Sequence, residues 1–527
     1  MGTRKVDEAR VDASIYTHRQ PTAPGVCWSR VESPRHRPQR GGSAMERALT
    51  SLEHGFSNYM VDPLAALIFF DVVFWDDRFN VPLVVLWLVA GSLFFTLRFQ
   101  FVNFRAFRHA IDCVRGRYTD PSEAGEISHF QALSAALSAT VGLGNIAGVA
   151  VAVSLGGPGA VFWMVVAGFL GMSSKFAECT LGQKYRVTRE DGRISGGPMH
   201  YLQAGLAERG HGRLGGVLAT VFALMAIGGS LGGGNMFQSN QSYLQISTVF
   251  PALSGTFGAA FFGGVLALAV GVVIIGGVRR IAEVASTLVP FMCVVYVTSG
   301  LAILLLHADA LGAGLATIVG GAFEPAAGLG GLVGVLIQGF RRAAFSNEAG
   351  CGSAAIVHSA ARTREPLREG MVALLEPFID TVVVCTTTGL VLVVTGAHDA
   401  PPDQVGSGIQ MTSWAFASVF PGFPVLLSFI ALLFAFSTMI SWSYYGEQCW
   451  AHLFGVKSIL SYKALFLLFV WMGAIFQAEA VIDFGDMMIL GMAFPNLIGV
   501  VMMSGSIKRE LDDYLVRLRS GEMPRYG

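Results

Sequence analysis

The fold is decided by the stretch SAALSATVGLGNIAGVAVAVSLGGPG at residues 134–159, an apolar segment of membrane-spanning length with Gly142, Gly144 and Asn145 near its middle. A second stretch, GVLIQGFRRAAFSNEAGCGSAAIVHSAA at residues 334–361, is interrupted by two arginines, Asn347 and Glu348. Paired interruptions in corresponding helices of two halves are typical of transporters, because loosened backbone near the bilayer midplane can bind a solute. We therefore expect two broken helices that frame one binding site.

Each interruption also has a second interpretation. The glycines of the first stretch would equally suit close packing between membrane helices. The polar residues of the second stretch would suit a cytoplasmic re-entrant loop. Asn145 favours a site over packing, because an unpaired amide in hydrocarbon raises the free energy of the folded protein.

The composition places most of the chain in lipid. Of 527 residues, 53% are hydrophobic and 14% are charged, and the mean hydropathy is +0.55. A membrane helix needs roughly 20 mostly apolar residues, and about eleven such stretches can be counted. The formal net charge is zero, and the basic residues cluster at the ends of the apolar segments, so the chain carries no nucleic-acid-binding patch.

The basic residues also predict the topology, since cytoplasmic loops are rich in Lys and Arg. They place the loop after the first membrane helix, and the C-terminus, in the cytoplasm. We expect the following order along the chain: a disordered Arg-rich tail at 1–44, an acidic approach with one extra membrane helix and a cytoplasmic loop at 45–129, a first five-helix repeat at 130–306, a second at 307–505, and a cytoplasmic C-terminal tail at 506–527. The basic tail would lie on the wrong side of the membrane, which favours Met45 as the natural start.

Several longer motifs carry a resemblance to a known family. They are ATVGLGNIAGVA (139–150), LGGPGAVFWM (155–164), GMSSKFAECTLGQKYR (171–186), FSNEAGCGSA (345–354), FIDTVVVCTTTGLV (378–391) and FAFSTMISWSYYGEQ (434–448). In these motifs the chain resembles the alanine or glycine:cation symporters, or sodium:alanine symporters, which share the leucine-transporter-type fold. The resemblance covers about 60–505 and departs at Leu143, where many members have Thr or Ser.

The resemblance implies an all-α, polytopic membrane protein. Its core would be a 5+5 inverted repeat with broken first and sixth core helices, preceded by one extra N-terminal helix, about eleven transmembrane helices in all. It further implies that a substrate and a sodium ion bind beside the two breaks. No organic cofactor is expected.

The resemblance also implies a sodium site where core helix one meets core helix eight. Ser437 and Thr438 are adjacent hydroxyls in an apolar helix, and the carbonyls of Ser138 and Val141 would complete a ring of oxygen ligands. Such a ring can hold sodium without a formal charge. The alternative is that each hydroxyl bonds back to a carbonyl of its own helix, which is common in membrane helices.

An amino-acid zwitterion needs partners for both of its charges in a medium of low dielectric constant. For the carboxylate we expect donors at the first break, and for the ammonium we expect Asn347 with nearby carbonyls. The full set of expected substrate contacts outside core helices seven and eight is Thr140, Gly142, Gly144, Asn145, Asn235, Gln238 and Asn347. For Asn235 and Gln238, an interhelical hydrogen-bond clamp is an equally good interpretation.

Other polar and aromatic residues complete the expected site. Asp380 would set the field of the cation or receive the ammonium, or else would be a buried partner of Arg341 or Arg342. Trp442 would form a wall that restricts the substrate to small side chains. Lys175 and Glu178, three residues apart on one helix, are expected to form a local ion pair outside the site.

These features predict sodium-coupled import of small neutral amino acids, alanine or glycine, across the bacterial inner membrane. Proton coupling, or a channel for another small polar solute, is the alternative within the same class. A membrane-embedded enzyme is disfavoured, because His129, His200 and His358 are far apart in sequence and no HExxH or GxSxG motif occurs. Lipid is the expected surrounding, and no obligate protein partner is evident.

Overall fold

The computed structural model describes residues 62–74, 76, 81–190, 192–323 and 328–526. The predicted tail at 1–44 and the proposed start at Met45 lie outside these residues. Helices dominate the described part, as the composition predicted. Its small sheet is one antiparallel hairpin, in which β1 (Val187–Thr188) pairs with β2 (Ile194–Ser195).

The helices before and within the first half of the core follow in close succession. They are α1 (Asp62–Ile68), α2 (Leu83–Arg98), α3 (Val102–Arg105), α4 (Phe107–Val114), α5 (His129–Thr140), α6 (Ala147–Gly156), α7 (Gly159–Lys184), α8 (Pro198–Ala207), α9 (Gly212–Leu231), α10 (Phe237–Val249), α11 (Gly255–Ile274) and α12 (Gly277–Leu306). Short 3-10 turns cover Leu143–Asn145 and Pro251–Leu253. A π-helical segment, Gly232–Met236, joins α9 to α10 without a loop.

Another twelve helices follow in the described part of the chain from residue 308 onward. They are α13 (Ala308–Phe323), α14 (Gly328–Asn347), α15 (Ala354–His358), α16 (Pro366–Ala373), α17 (Leu375–Pro377), α18 (Thr386–Val394), α19 (Pro402–Val405), α20 (Ile409–Ala417), α21 (Phe423–Phe454), α22 (Ile459–Ile475), α23 (Ala478–Gly491) and α24 (Ala493–Ser520). A second π-helical segment, Phe378–Cys385, lies between α17 and α18, and Val456–Ser458 forms a 3-10 turn. Such π-helical segments are frequent at functional sites.

Length and hydropathy identify the membrane spans of the described part. Eight helices are long and apolar enough to cross a membrane, and the bent pair α5 and α6 makes nine. Two expected spans fall short of these criteria: α2 has 16 residues, and α14 carries Arg341 and Arg342 near its end. The count of about eleven crossings therefore stays a prediction.

The outer surface of the bundle suits contact with lipid. Large apolar side chains point outward on α11, α12 and α22, with Leu268 72%, Leu305 76% and Leu460 79% exposed. In water such a surface would be unfavourable, whereas hydrocarbon accommodates it without loss. Together with the long apolar helices, this surface identifies a multi-pass membrane protein.

Both predicted breaks are present. The axes of α5 and of the helical stretch Leu143–Gly156 meet at 58°, and residues 348–353 separate α14 from the short α15. Helix α5 begins cleanly, because Ser128 and Gln131 form a capping box in which each side chain accepts a hydrogen bond from the backbone N–H of the other. It then ends in the middle of the protein, close to α12 and α21.

Candidate functional site

The first break exposes backbone amides that side chains capture. Asn145 Oδ1 accepts a hydrogen bond from the N–H of Gly142 at 2.9 Å, and Gln238 Oε1 accepts one from the N–H of Leu143 at 3.0 Å. Both side chains are buried. Asn145 and Gln238 were predicted as substrate contacts. In the structure each of their side-chain oxygens accepts a hydrogen bond from the broken backbone.

Gly142 is required by close approach rather than by its backbone angles. A Cβ atom built on it would lie 2.5 Å from Thr438 Oγ1 and 3.1 Å from Gln238 Oε1. Real Cβ atoms do not come so near to oxygen, so a side chain here would push the first break away from α21, which carries Thr438. The glycine thus lets the end of α5 contact the hydroxyl of Thr438.

Asp380 joins the two broken regions. Its Oδ1 accepts a hydrogen bond from Asn145 Nδ2 at 2.6 Å, and its Oδ2 accepts one from Ser346 Oγ at 2.9 Å and one from Thr381 Oγ1 at 2.7 Å. All four residues are buried. A single carboxylate therefore connects the first break, the π-helical segment Phe378–Cys385 and the last turn of α14.

The alternative partners of Asp380 are engaged elsewhere. Arg341 Nη2 lies 2.8 Å from Asp486 Oδ2, and Arg342 forms a second ion pair with the same carboxylate. Asp486 belongs to α23, and its side chain is fully buried. The interpretation of Asp380 as the partner of these arginines is therefore wrong.

The second break holds a carboxylate in an unusual backbone conformation. Glu348 has φ of 53°, and Gly350 and Gly352 have φ of 92° and 88°, so the chain turns sharply between α14 and α15. Glu348 Oε1 accepts a hydrogen bond from Trp442 Nε1 at 3.1 Å, and its other oxygen accepts one from Ser353. Left-handed backbone at a non-glycine residue costs about 1–3 kcal/mol and is concentrated at functional sites.

A narrow cavity lies between the two breaks. Its lining combines four predicted contacts, Thr140, Gly144, Gln238 and Trp442, with five residues that were not predicted as contacts, namely Ala139, Gly233, Phe345, Glu348 and Ile489. The polar groups are an amide, a hydroxyl and a carboxylate, and the aromatic rings close the sides. This combination suits a small solute that carries a positive and a negative group.

The newly found members differ in how far the sequence could have indicated them. Glu348 follows the predicted Asn347 directly, and an ionisable group inside a membrane span is a sufficient signal. Phe345 lies in the same motif. Ile489 gives no such signal, because only the tertiary fold brings α23 to the cavity.

Five predicted contacts do not line the cavity. Gly142, Asn145 and Asp380 belong to the network at the first break described above, and the other two are Asn235 and Asn347. Asn235 Nδ2 donates to the carbonyl oxygen of Phe466 at 2.8 Å, which is the interhelical clamp considered as its alternative. Asn347 Nδ2 donates to Thr381 Oγ1 at 2.8 Å, and Asn347 lines a separate small cavity beside α2 and α7. Both amides are used to hold helices together.

The expected sodium ligands meet where α5 ends against α21. Ser138 Oγ donates to the carbonyl oxygen of Ser437 at 2.7 Å, and Ser437 Oγ donates back to Phe434 O at 2.9 Å. Thr438 Oγ1 is buried and has no hydrogen-bond partner among the described residues. Val141 caps α5, where helical carbonyls lose their partners. Thr438 and this helix end therefore fit a cation, whereas the Ser437 hydroxyl follows the alternative of back-bonding.

A second group of buried ionisable residues departs from the sequence expectation. Lys175 Nζ lies 3.0 Å from Glu376 Oε1, while Glu178 accepts a hydrogen bond from Asn496 Nδ2 at 2.7 Å. The expected local pair of Lys175 with Glu178 is therefore wrong, because partners from other helices approach closer than a neighbour on the same helix.

Two of the three histidines that were expected to lie far apart, His129 and His358, are close together in the fold. His129 and His358, more than 200 residues apart in the sequence, both pair with the carboxylate of Glu369. Among the described residues, no group of three or more His, Cys, Asp or Glu side chains could hold a metal ion.

Comparisons with known proteins identify the family. The profile of the Sodium:alanine symporter family matches residues 68–526. A crystal structure of MhsT in complex with L-phenylalanine overlaps with a TM-score of 0.48 at 14% identity, over 72% of this chain and 99% of that chain. The probable sodium/glutamine symporter GlnT of Bacillus subtilis is 34% identical over 85% of this chain and 91% of its own length. The sodium/alanine symporter AgcS of Methanococcus maripaludis is 40% identical over 81% of this chain and 93% of its own length. The profile and this last relative confirm the resemblance predicted from the motifs: the chain belongs to the sodium:alanine symporter family and is a multi-pass membrane transporter, not an enzyme.

Proposed function

We propose that this protein imports small neutral amino acids, alanine or glycine, together with sodium by alternating access. The observation that carries the proposal is the cavity between the two helix breaks, in which Glu348 and Trp442 face Thr140, Gly144 and Gln238. The relative AgcS is named a sodium/alanine symporter, which supports the same substrate class.

The charges of the cavity suggest how a zwitterion would be oriented. The carboxylate of Glu348 attracts the ammonium group, since it is the acidic side chain of the lining. The substrate carboxylate would then face the first break, where a sodium ion held by the hydroxyl of Thr438 and by carbonyl oxygens of Ser138, Val141 and Ser437 offsets its charge. In a site of low dielectric constant this arrangement makes solute binding depend on the cation.

The size of the substrate would be limited by the walls of the cavity. Phe345 and Trp442 are bulky aromatic residues, and Ile489 closes a third side. All three side chains are buried, and they belong to different helices, so a large solute could enter only if helices separated. Amino acids with a hydrogen or methyl side chain are therefore favoured as substrates over those with branched or aromatic side chains.

The two breaks also provide the moving parts for alternating access. Helices α5 and α6, and α14 and α15, are each joined by a few residues without α-helical hydrogen bonds, which is where hinge rotation meets least resistance. The carboxylate of Asp380 joins the two regions. Movement of one broken helix would therefore be transmitted to the other. The C-terminus is proposed to face the cytoplasm.

The test is uptake of radiolabelled alanine by proteoliposomes that contain the purified full chain. An inward sodium gradient should concentrate alanine above its external level, whereas a potassium gradient should not. Excess unlabelled glycine should compete and excess leucine should not. A pH gradient applied without sodium should give little uptake. Equilibration without accumulation would indicate a channel, and uptake driven equally by a pH gradient alone would contradict sodium coupling.

A further inference from the structure

A chain of five buried ionisable side chains leads away from the cavity. It is formed by His129, Glu369, His358, Glu376 and Lys175, and we name it the buried charge chain. Each of these side chains is at most 1% exposed. Ionisable groups within membrane segments are rare because burial disfavours their charge, and chains of Glu and His in transporters mark proton pathways.

The members follow one another at short distances. His129 Nδ1 pairs with Glu369 Oε2, and Glu369 Oε1 lies 2.6 Å from His358 Nδ1. His358 Nε2 lies 3.9 Å from Glu376 Oε2, and Glu376 Oε1 lies 3.0 Å from Lys175 Nζ. Three of the four steps are therefore close hydrogen bonds or ion pairs. The step from His358 to Glu376 is longer.

That longer step is distinctive because both of its atoms lack other partners. Within the described part of the protein, neither His358 Nε2 nor Glu376 Oε2 makes a hydrogen bond. Leaving two buried polar atoms unpaired is unfavourable by about 1–3 kcal/mol each. A purely structural network would be expected to satisfy them. One transferred proton with a small side-chain movement, or one water molecule, would close the gap.

The surroundings contain more acids than permanent cations. Glu178 and Glu348 both interact electrostatically with Lys175, so together with Glu376 three glutamates face one lysine in the protein interior. Other titratable groups interact electrostatically with members of the buried charge chain: Cys113, Cys179, Arg186, Cys351, Asp380 and Tyr445. Tyr201 faces Glu178, and Arg368 directly precedes Glu369 in α16. Arg368 has its own partner in Glu123. Because unbalanced buried charge is costly, the cluster must retain protons on its histidines or glutamates.

The buried charge chain connects helices of the two broken regions that are expected to move with helices packed against them. His129 begins α5, Lys175 lies in α7, His358 ends α15, and the two glutamates lie in α16 and α17. At the cavity end, Lys175 interacts electrostatically with Glu348. At the other end, Arg186 approaches Glu369 from the basic side predicted to be cytoplasmic.

We propose that the buried charge chain conducts protons between this basic side and Lys175, so that each transport cycle is linked to proton movement. In the central step a proton leaves Nε2 of the protonated His358 and binds Oε2 of Glu376, which leaves a neutral imidazole and a neutral carboxylic acid. This proposal rests on the proposed function, because binding of the solute and the cation is what drives the proton movement. A cation or ammonium group that binds near Glu348 changes the electrostatic field at Lys175. Because Lys175 is paired with Glu376, the strength of that ion pair changes as well.

The experiment uses the full chain in proteoliposomes with a trapped fluorescent pH indicator. Potassium and valinomycin hold the membrane potential at zero, an inward sodium gradient is imposed, and alanine is then added. The proposal predicts a change of internal pH that depends on alanine and sodium. His358→Gln and Glu369→Gln should each slow this change at least tenfold, and retained alanine binding would show that these variants are folded. The matched control is His307→Gln. His307 is a partly buried histidine whose Nδ1 lies near Ile303 O, and it does not belong to the buried charge chain.

The outcomes separate the two proposals. Alanine accumulation without any proton movement overturns the proton pathway and leaves the symporter proposal intact. Proton movement without alanine uptake, lost in His358→Gln, supports the pathway and overturns the proposed substrate. Proton movement of equal rate in wild type and both variants assigns it to another route and overturns the pathway. The wild-type measurement can refute the pathway by itself, even if a variant fails to fold.

Discussion

The indole nitrogen of Trp442 donates a hydrogen bond to the carboxylate of Glu348 at 3.1 Å, which joins α21 to the second helix break inside the cavity. The two residues are 94 positions apart in the sequence, and both are buried. The same carboxylate also accepts a hydrogen bond from Ser353. Glu348 is thereby held in one orientation with its carboxyl group at the cavity.

The first prediction is that Glu348→Gln weakens amino-acid uptake strongly. The amide retains the size and an acceptor for Trp442 but removes the negative charge that attracts an ammonium group. Loss of one charged hydrogen bond, roughly 1.5–3 kcal/mol, should raise the KM for alanine about 10- to 100-fold. Glu510→Gln is the matched control, because Glu510 lies in α24 and is partly exposed beside Lys184. A KM for the Glu348 variant within twofold of wild type would contradict the role.

The second prediction separates the two adjacent hydroxyls expected to bind sodium. Thr438→Val removes the buried hydroxyl that has no partner in the described structure, at nearly constant volume. It should raise the sodium concentration for half-maximal uptake about tenfold, equivalent to ~1.4 kcal/mol. Ser437→Ala removes a hydroxyl that bonds to its own helix and leaves the carbonyl that Ser138 contacts, so we expect less than a threefold change. Equal effects of both variants would contradict this assignment.

The sequence located the breaks because their signal is local. Glycine, amide and charged residues stand out in apolar runs, and Asn145 and Glu348 lie where such residues are unfavourable unless the backbone departs from a helix. The hydroxyl pair at Ser437 and Thr438 was found from its motif. What the motif could not give is which of the two hydroxyls is free, because that depends on rotamers and on the contact with α5.

Helix faces were harder to predict. Asn235 and Gln238 are three residues apart and would share one face of a regular α-helix. Asn235 lies inside the π-helical segment Gly232–Met236, where the additional residue in the turn rotates the side chains that follow. Gln238 consequently reaches the cavity and Asn235 reaches Phe466. For Lys175 the closer partners come from distant helices, which a single sequence does not reveal.

The third prediction concerns pH and the predicted cytoplasmic side, outside the membrane-spanning helices. His109 in α4 is 2.8 Å from the hydroxyl of Tyr514, and burial, followed by the charge of Arg368, lowers its pKa from 6.5 to about 4. The folded protein therefore keeps this histidine neutral, whereas the unfolded chain binds a proton below about pH 6.5. The free energy of unfolding should fall as the pH decreases from about 6.5 towards about 4.

Melting temperatures in detergent between pH 7.5 and 5 would test this dependence. His109→Gln should flatten the curve, because glutamine does not titrate. His211→Gln should leave it unchanged, since His211 is exposed and contacts the backbone of Arg209. If His109→Gln retains the full wild-type slope, another group is responsible for the loss of stability in acid.

The fourth prediction distinguishes two glycines, one in each break. Gly350 has φ of 92°, and an added Cβ would lie 2.8 Å from Leu88 Cδ2 on α2. Gly350→Ala should therefore destabilise the protein by about 1–3 kcal/mol through backbone strain, with a lower melting temperature and lower expression. At Gly144 the nearest atom to an added Cβ is Ser346 Cα at 3.6 Å, an ordinary contact, so Gly144→Ala should leave stability unchanged.

Uptake measured on the same two variants completes the argument. Gly144 lines the cavity, so a methyl group there occupies space that the substrate needs and should lower alanine uptake in a correctly folded protein. Gly350 does not line the cavity, and Asn496 Nδ2 donates to its carbonyl oxygen, so its variant should lose uptake only in proportion to the protein that unfolds. Normal uptake in Gly144→Ala, or an unchanged melting temperature in Gly350→Ala, would show that the two glycines have been assigned the wrong roles. The expected contrast would mean that one break is shaped for the solute and the other for the backbone turn that holds Glu348 in place.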